Sequence, residues 1–211
     1  MNQKLSQFGK AKMTDVEDDE GIKQQLLLTV ARANQATSVV RAIMLSNNSN
    51  NSFFGHLYGT QYISIVVDIS KLFDKSSVNL TRLVKIFKNR ITLKEYDEAI
   101  KTIGTISEKY GDLLKQIILL RHNLGAHLNK DILNKMYKDP YSSEYEVDLN
   151  GAQSLLRDVV DFLKSLSFVN ITESKFLGER IGPKDVIDLL GLKIKPEVQQ
   201  QFVKDLFNQN V

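Results

Sequence analysis

Residues 119–129, LLRHNLGAHLN, place an arginine and two histidines at the end of an apolar segment. Arg121, His122 and His127 include two of the three histidines in the whole chain. A guanidinium group stays charged at physiological pH, and its planar fork matches the oxygen atoms of a phosphate group. An imidazole titrates near neutral pH, so it can accept or donate a proton. These residue types together favour chemistry on a phosphate group.

The spacing of Arg121 and His127 decides how they could act together. Six residues on a straight helix amount to about 600° of rotation, which leaves the two side chains about 120° apart. Gly125 lies between them and permits a local bend that would bring them closer. A second copy of the chain, related by a two-fold axis, would instead supply a matching arginine and histidine. The same spacing also fits two ordinary surface side chains, so the spacing alone leaves these alternatives open.

Cleavage of RNA by its own 2′-hydroxyl group is phosphate chemistry that suits these side chains. It needs a base for the hydroxyl proton, an acid for the leaving 5′-oxygen, and positive charge near the phosphoryl oxygens. His127 would fill one proton-transfer role, and a dimer would supply a second histidine. A metal site is not favoured, because the chain has no cysteine and no HExxH motif. His122 and His127 would also point about 140° apart on a helix. We therefore expect no metal and no cofactor.

The composition is that of an ordinary globular protein. The chain has 211 residues, of which 42% are hydrophobic and 25% are charged. No apolar run approaches the ~18–20 residues that span a bilayer, and the first residues lack an apolar signal-peptide core. We therefore expect a cytoplasmic protein that does not bind membranes. The net charge of +3 is compatible with a nucleic-acid partner but is too small to indicate one.

Apolar residues recur at spacings of three and four, and the chain contains only three prolines. This pattern predicts an all-α protein. Thr14 with Glu17, and Thr92 with Glu95, have the spacing of a helix capping box. Helices are expected over residues 14–45, 53–73, 79–89, 92–128 and 149–167, with short helices after Gly182-Pro183 and within 193–207.

The predicted elements divide the chain into three parts. Residues 1–13 are expected to form a flexible basic arm, and residues 14–167 an antiparallel helical bundle. Residues 168–211 are expected to form a short C-terminal helical extension. Residues 129–147, which contain Asp139-Pro140, are predicted to be a connection between helices.

Other polar residues have simpler interpretations. His56 is expected to be a helix-end or surface histidine, because it has no partners in sequence. Asp68 and Lys71, one helical turn apart, predict a surface ion pair. Asp74 is expected to be a turn or cap residue. The basic run in residues 82–90 has helical spacing, which fits either a solvated face or the flank of an RNA path.

The segment RHNLGAH resembles the signature of the HEPN superfamily, in which an arginine and a polar residue precede a histidine. Together with the upstream segment DISKLFDKSSVNLTRL, it resembles more narrowly the AbiU2-like branch of that superfamily. The resemblance covers roughly residues 20–167. It implies an antiparallel α-helical bundle that dimerises, with the motif lining a cleft between the two protomers. It also implies a metal-independent endoribonuclease of a toxin–antitoxin or phage-defence system.

The resemblance also implies roles for individual residues. Arg121 would stabilise the phosphate group, His127 would be the general acid or base, and His122 would orient the site. Asn123 would support RNA binding beside them. Asn129 departs from HEPN toxins paired with nucleotidyltransferase antitoxins, which often have tyrosine at this position. Inactivation through modification of such a tyrosine is therefore not expected.

The partners that the resemblance implies are RNA, a second copy of the chain, and a cognate antitoxin or another defence-system protein. Some members of the superfamily have lost catalysis. The alternative is therefore a non-catalytic HEPN dimer that binds RNA or protein.

Overall fold

A computed structural model describes residues 5–46, 52–74, 78–126, 147–170, 183–191 and 193. The side chains of residues 5–18, 123–126 and 183 lie outside this description. The described ranges contain seven α-helices and no β-strand, which confirms the predicted all-α class. The helices are α1 Leu5–Leu45, α2 Ser52–Phe73, α3 Leu80–Ile86, α4 Leu93–Lys109, α5 Gly111–Ala126, α6 Leu149–Ser165 and α7 Pro183–Leu190, with a 3-10 turn at Lys88–Arg90.

The long helix α1 is the centre of the bundle. It packs against α2, α3, α6 and α7, while α2 also packs against α5. The main core contains fully buried aliphatic side chains from several helices, and burying each contributes about 1.5–3 kcal/mol. These side chains include Leu26, Val30, Ile65, Ile69, Leu83, Ile117, Leu156 and Val159. The packing of α2 on α1 and of α5 on α2 fixes the helices that carry the candidate site.

Helix α1 begins earlier than the sequence predicts. Its first residue is Leu5, and the capping-box spacing of Thr14 and Glu17 therefore lies inside the helix. Residues 5–13 contain leucine, glutamine, alanine, lysine and methionine, which are good helix formers, so a helix can extend through them. The helix start predicted at Thr14 is therefore wrong. The division of the chain into arm, domain and extension stays a prediction.

The predicted helix over residues 92–128 is two helices, α4 and α5, which meet at Tyr110. Thr92 caps α4 as expected, because its side chain accepts a hydrogen bond from the Glu95 N–H at 3.1 Å. At the break, the Tyr110 hydroxyl donates to Asp158 Oδ2 at 3.0 Å, and Lys109 Nζ lies 2.7 Å from the same oxygen. Asp158 is on α6, so the break coincides with a contact to a neighbouring helix that local periodicity does not predict.

Helix α7 is held against the end of α1. Val186 and Ile187 are buried there against Ala42, and Phe54 of α2 packs beside them. The helix predicted to start at Gly182-Pro183 is therefore confirmed, beginning at Pro183. The connection predicted at 129–147, except for Val147, and nearly all of the helix predicted within 193–207 lie outside the described residues.

The hydroxyl of Tyr62 generates a prediction about stability. Tyr62 is buried on α2, and its hydroxyl oxygen accepts a hydrogen bond from the Val147 N–H at 2.8 Å. Tyr62→Phe should lower the free energy of unfolding by about 1–3 kcal/mol, because it leaves a buried N–H without this partner. Urea unfolding measures the difference. Tyr96→Phe is the control, since the Tyr96 ring contacts the Lys88 ammonium but is only half-buried. Equal stability of Tyr62→Phe and the parent protein would contradict the prediction.

Asp158 generates a prediction about acid stability. Burial raises the pKa of Asp158, but hydrogen bonds from Lys109 and Tyr110 outweigh burial and leave this pKa below its usual value. A carboxyl group with a lowered pKa stabilises the fold above its unfolded pKa of about 3.9 and loses that contribution on acidification. Asp158→Asn should therefore be less stable than the parent protein at about pH 7, and this difference should shrink below about pH 4.

Urea unfolding at a series of pH values tests the effect of Asp158. Asp112→Asn is the matched control, because the Asp112 side chain is fully exposed and its removal should leave no comparable difference. A difference between Asp158→Asn and the parent protein that stayed constant on acidification would show that ionisation of Asp158 does not stabilise the fold.

Candidate functional site

Asp74 lies at the end of α2, where three hydrogen bonds in its neighbourhood fix the chain. Its N–H donates to the Ser70 carbonyl at 2.8 Å, which continues the helical pattern. Its own carbonyl accepts a hydrogen bond from the Asn79 side-chain amide at 2.6 Å. Asn79 also caps α3, since its side-chain oxygen accepts from the Arg82 N–H at 2.8 Å. Asp74 is therefore a helix-end residue, as the sequence predicts, and its backbone is held in place from both sides.

The side chain of Asp74 has a role that sequence reasoning missed. Its Oδ2 atom accepts a hydrogen bond from Nη1 of Arg121, which lies on α5, and the two groups form an ion pair. The side chains are 29% exposed for Arg121 and 25% exposed for Asp74, so solvent still reaches both. The pair joins the two sequence segments on which the family resemblance rests, although they are 47 positions apart.

The ion pair orients a cation without using all of its donors. A guanidinium has five N–H donors in a planar fork, and Asp74 accepts from one of its nitrogen atoms. The remaining donors can bind a phosphate oxygen that approaches from solvent. Partial burial also strengthens the attraction of Arg121 for any nearby negative charge, because fewer water molecules screen it.

Helix α5 runs without a break from Arg121 across Gly125 to Ala126. Arg121 and Gly125 therefore lie on one helix, and the two ways of bringing Arg121 and His127 together, a bend at Gly125 or a second copy of the chain, both stay predictions. His122 is exposed on α5, one residue after Arg121. Asn123 lies on the same helix, but its side chain is outside the described part of the chain. His127 and Asn129 are also outside the described residues.

Asp68 is not the surface residue that the sequence predicts. It is buried on α2, and its Oδ1 atom is 2.9 Å from Arg32 Nη2 and 3.7 Å from Lys71 Nζ. Ser64 donates a hydrogen bond to the other oxygen, Oδ2, at 3.3 Å. Helical spacing correctly predicted the contact with Lys71 but gave no sign of Arg32, which reaches Asp68 from α1. Burial requires these partners, because an unpaired carboxylate away from water is strongly unfavourable.

The basic run in residues 82–90 is an exposed face. Arg82, Lys85, Lys88 and Arg90 all lie at the surface. Arg90 is partly neutralised, since its guanidinium nitrogens lie 3.2 Å from carboxylate oxygens of two acidic residues at positions 19 and 20. The interpretation as a solvated face is therefore consistent with the structure. His56 is likewise exposed on α2, as expected.

The family of the chain follows from its sequence match. The family model HEPN_AbiU2, described as AbiU2, matches residues 25–178, which is more than half of the chain. The protein therefore belongs to the AbiU2 family of HEPN proteins, and the resemblance identified from the two motifs is confirmed. The ion pair of Asp74 and Arg121 lies within the matched range, whereas α7 lies beyond it. No curated protein and no solved structure matches the chain significantly.

Metal-binding clusters and membrane-spanning helices are both absent from the described ranges. These ranges contain no group of three or more histidine, cysteine, aspartate or glutamate residues arranged to hold a metal ion. No helix within them is long and apolar enough to cross a bilayer.

The ion pair generates a prediction that a double-mutant cycle can test. Asp74→Asn, Arg121→Gln and the double variant should give a coupling free energy of about 1 kcal/mol, because both side chains are mostly shielded from water. Urea unfolding of the four proteins measures this coupling.

The exposed pair of Lys115 and Asp112, also on α5, is the matched control. Its coupling should be smaller, because water and salt screen two exposed charges. Equal coupling in the two pairs would show that partial burial does not strengthen the pair of Asp74 and Arg121.

Proposed function

We propose that the protein is a metal-independent endoribonuclease of the HEPN type, acting in the cytoplasm as a toxin or phage-defence effector. Its active site is composite and forms between two copies of the chain. The observation that carries this proposal is the orientation of the Arg121 guanidinium by Asp74 at a site that solvent still reaches. A cation that is held in place yet accessible is what transfer chemistry at a phosphate group requires.

Each residue of the motif has a proposed role. Arg121 stabilises the negative charge that develops on the phosphoryl oxygens. His127 transfers a proton, either from the attacking 2′-hydroxyl or to the leaving 5′-oxygen, and His127 of the second copy does the other. His122 orients the RNA or the neighbouring catalytic groups, and Asn123 and Asn129 support RNA binding. Breaking the P–O5′ bond in this way leaves a 2′,3′-cyclic phosphate and a 5′-hydroxyl.

The surface of α5 supports the proposed dimer. Leu119 lies one helical turn before His122 and is 61% exposed, so its apolar side chain is available for contact with a second chain. An apolar contact at this position would bring the motifs of two chains together across a two-fold axis. A cognate antitoxin or another defence protein that covers the same face would then block the site.

The alternative function is a non-catalytic HEPN dimer that binds RNA or a protein. One observation favours it: the Asp74 carboxylate already compensates the charge of Arg121. A phosphate group must then compete with this carboxylate, which reduces the charge available for catalysis. A binding module needs less stabilisation of a transition state than an enzyme does.

RNA cleavage by two single-residue variants tests the proposal. Arg121→Ala and His127→Ala should each lower the rate by at least about 10²-fold, because one removes charge stabilisation and the other a proton-transfer group. Gel analysis of end-labelled RNA measures the rate and identifies the cyclic phosphate. His56→Ala is the control, since it removes an exposed histidine of α2 and should cut RNA at the parental rate.

The outcomes separate the enzyme from the binding module. Cleavage that persists in the presence of a chelator and disappears in both variants supports the enzyme. RNA binding by the parent protein without any cleavage, across the range of about pH 6–8 in which histidine titrates, supports the module. Parental cleavage by His127→Ala would contradict the assigned role of this residue.

A further inference from the structure

Arg32, Lys71 and Ser64 surround the carboxylate of Asp68, and we call these four residues the Asp68 cluster. We propose that Arg32 and Lys71 of this cluster bind phosphate groups of the RNA backbone next to the phosphate held by Arg121. The inference rests on the proposed function and extends it, because it assigns the path of the substrate across α2 and α1.

The charges in the Asp68 cluster are unequally exposed to solvent. The side chain of Asp68 is only 4% exposed, whereas those of Arg32 and Lys71 are 56% and 39% exposed. An anion that approaches from solvent therefore meets two cations and almost none of the carboxylate. The buried carboxylate anchors the cations in position without offering its own charge to a ligand.

Other ion pairs in the described ranges lack this asymmetry. Asp112 is fully exposed beside Lys115, so this carboxylate repels an incoming anion as strongly as its partner attracts it. Asp158, which pairs with Lys109, is 30% exposed. The carboxylate of Asp68 is thus the most buried among those in the described ion pairs. The Asp68 cluster is accordingly better suited to bind an anion than these other paired charges.

The position of the Asp68 cluster along α2 also favours this path. Lys71 lies three residues after Asp68 and three before Asp74, which follows the last residue of α2. Each step shifts the side chain by about 60° around the axis, so Asp68 and Asp74 are about 120° apart. Asp68 and Asp74 are separated by about 9 Å along the helix. The Asp68 cluster and the pair of Asp74 and Arg121 therefore lie at the same end of α2. Together they contain three cations and two carboxylates.

The basic run in residues 82–90, on α3 and the 3-10 turn after it, is the competing path for RNA. Its cation at position 90 is tied to two partly exposed carboxylates and lies over the Phe87 ring at 4.8 Å. The run therefore offers fewer uncompensated charges than its sequence suggests. Its remaining cations are Arg82, Lys85 and Lys88, and the two on α3, Arg82 and Lys85, provide a direct comparison for an experiment.

RNA binding as a function of salt concentration tests the inference. All measurements use the 211-residue chain with His127→Ala, so that the RNA stays intact, and fluorescence anisotropy of a labelled single-stranded RNA. The double variant Arg32→Gln with Lys71→Gln should bind more weakly. For this double variant, the slope of the logarithm of the RNA-binding constant against the logarithm of the salt concentration should be less steep by about 1.4. Each lost phosphate contact lowers the magnitude of this slope by about 0.7. Arg32→Lys with intact Lys71 should restore most of the slope, since it keeps the charge.

Matched variants distinguish this path from a general effect of net charge and from a path along α3. Lys115→Gln with Lys164→Gln removes two exposed cations from α5 and α6 and should leave the slope unchanged. An equal loss of slope in that control would show that RNA binding depends only on the net charge of the protein. A loss of slope only in Arg82→Gln with Lys85→Gln would assign the path to α3. Either result would overturn the inference.

The variant Asp68→Asn distinguishes RNA binding by the Asp68 cluster from a purely structural role of this cluster. This variant keeps both cations, so the salt slope should persist even if thermal unfolding occurs at a lower temperature. The same loss of slope in Asp68→Asn as in the double variant would show that the cations act only through the fold, and would contradict the inference. Failure of the parent protein to bind RNA at all would instead contradict the proposed function.

Discussion

The candidate site depends on the ion pair between Asp74 and Arg121. The pair joins the end of α2 to the middle of α5, and it gives the guanidinium one orientation while solvent still reaches it. Asp74 can do this because its backbone is fixed by the last turn of α2 and by the Asn79 side chain. The position of the carboxylate is thus set by a helix end, and the direction of Arg121 is set by that carboxylate rather than by the motif itself.

The same fold uses carboxylates on α2 in two different ways. Asp74 is partly exposed and pairs with a single arginine, so it orients that guanidinium and compensates its charge. Asp68 is buried and holds two exposed cations, so it concentrates positive charge at the surface. Both arrangements follow from the cost of leaving a shielded carboxylate unpaired. In the mechanism proposed for RNA cleavage, Asp74 positions the group at the reacting phosphate and Asp68 positions groups along the strand.

Much of the fold could be predicted from the sequence, because the apolar spacing on α2 and α6 is strong and local. The break at Tyr110 could not be predicted, because it depends on Asp158 of another helix. The early start of α1 was missed, because the capping-box spacing of Thr14 and Glu17 indicated a later helix start. For the site, the arginine and the segment that carries Asp74 were identified from their resemblance to a family. The contact between Arg121 and Asp74 was not predicted, because no periodic pattern indicates a contact between residues 47 positions apart.

The central claim is that Asp74 positions Arg121 for reaction instead of merely stabilising the bundle. The most direct test is the single-turnover rate of RNA cleavage by Asp74→Asn with enzyme in excess, measured together with its RNA affinity. Loss of the carboxylate removes a negative charge, so RNA should bind at least as tightly as to the parent protein. The cleavage rate should nevertheless fall by about tenfold or more, which corresponds to about 1.4 kcal/mol in the barrier. Cleavage at the parental rate by a folded Asp74→Asn protein would contradict the claim.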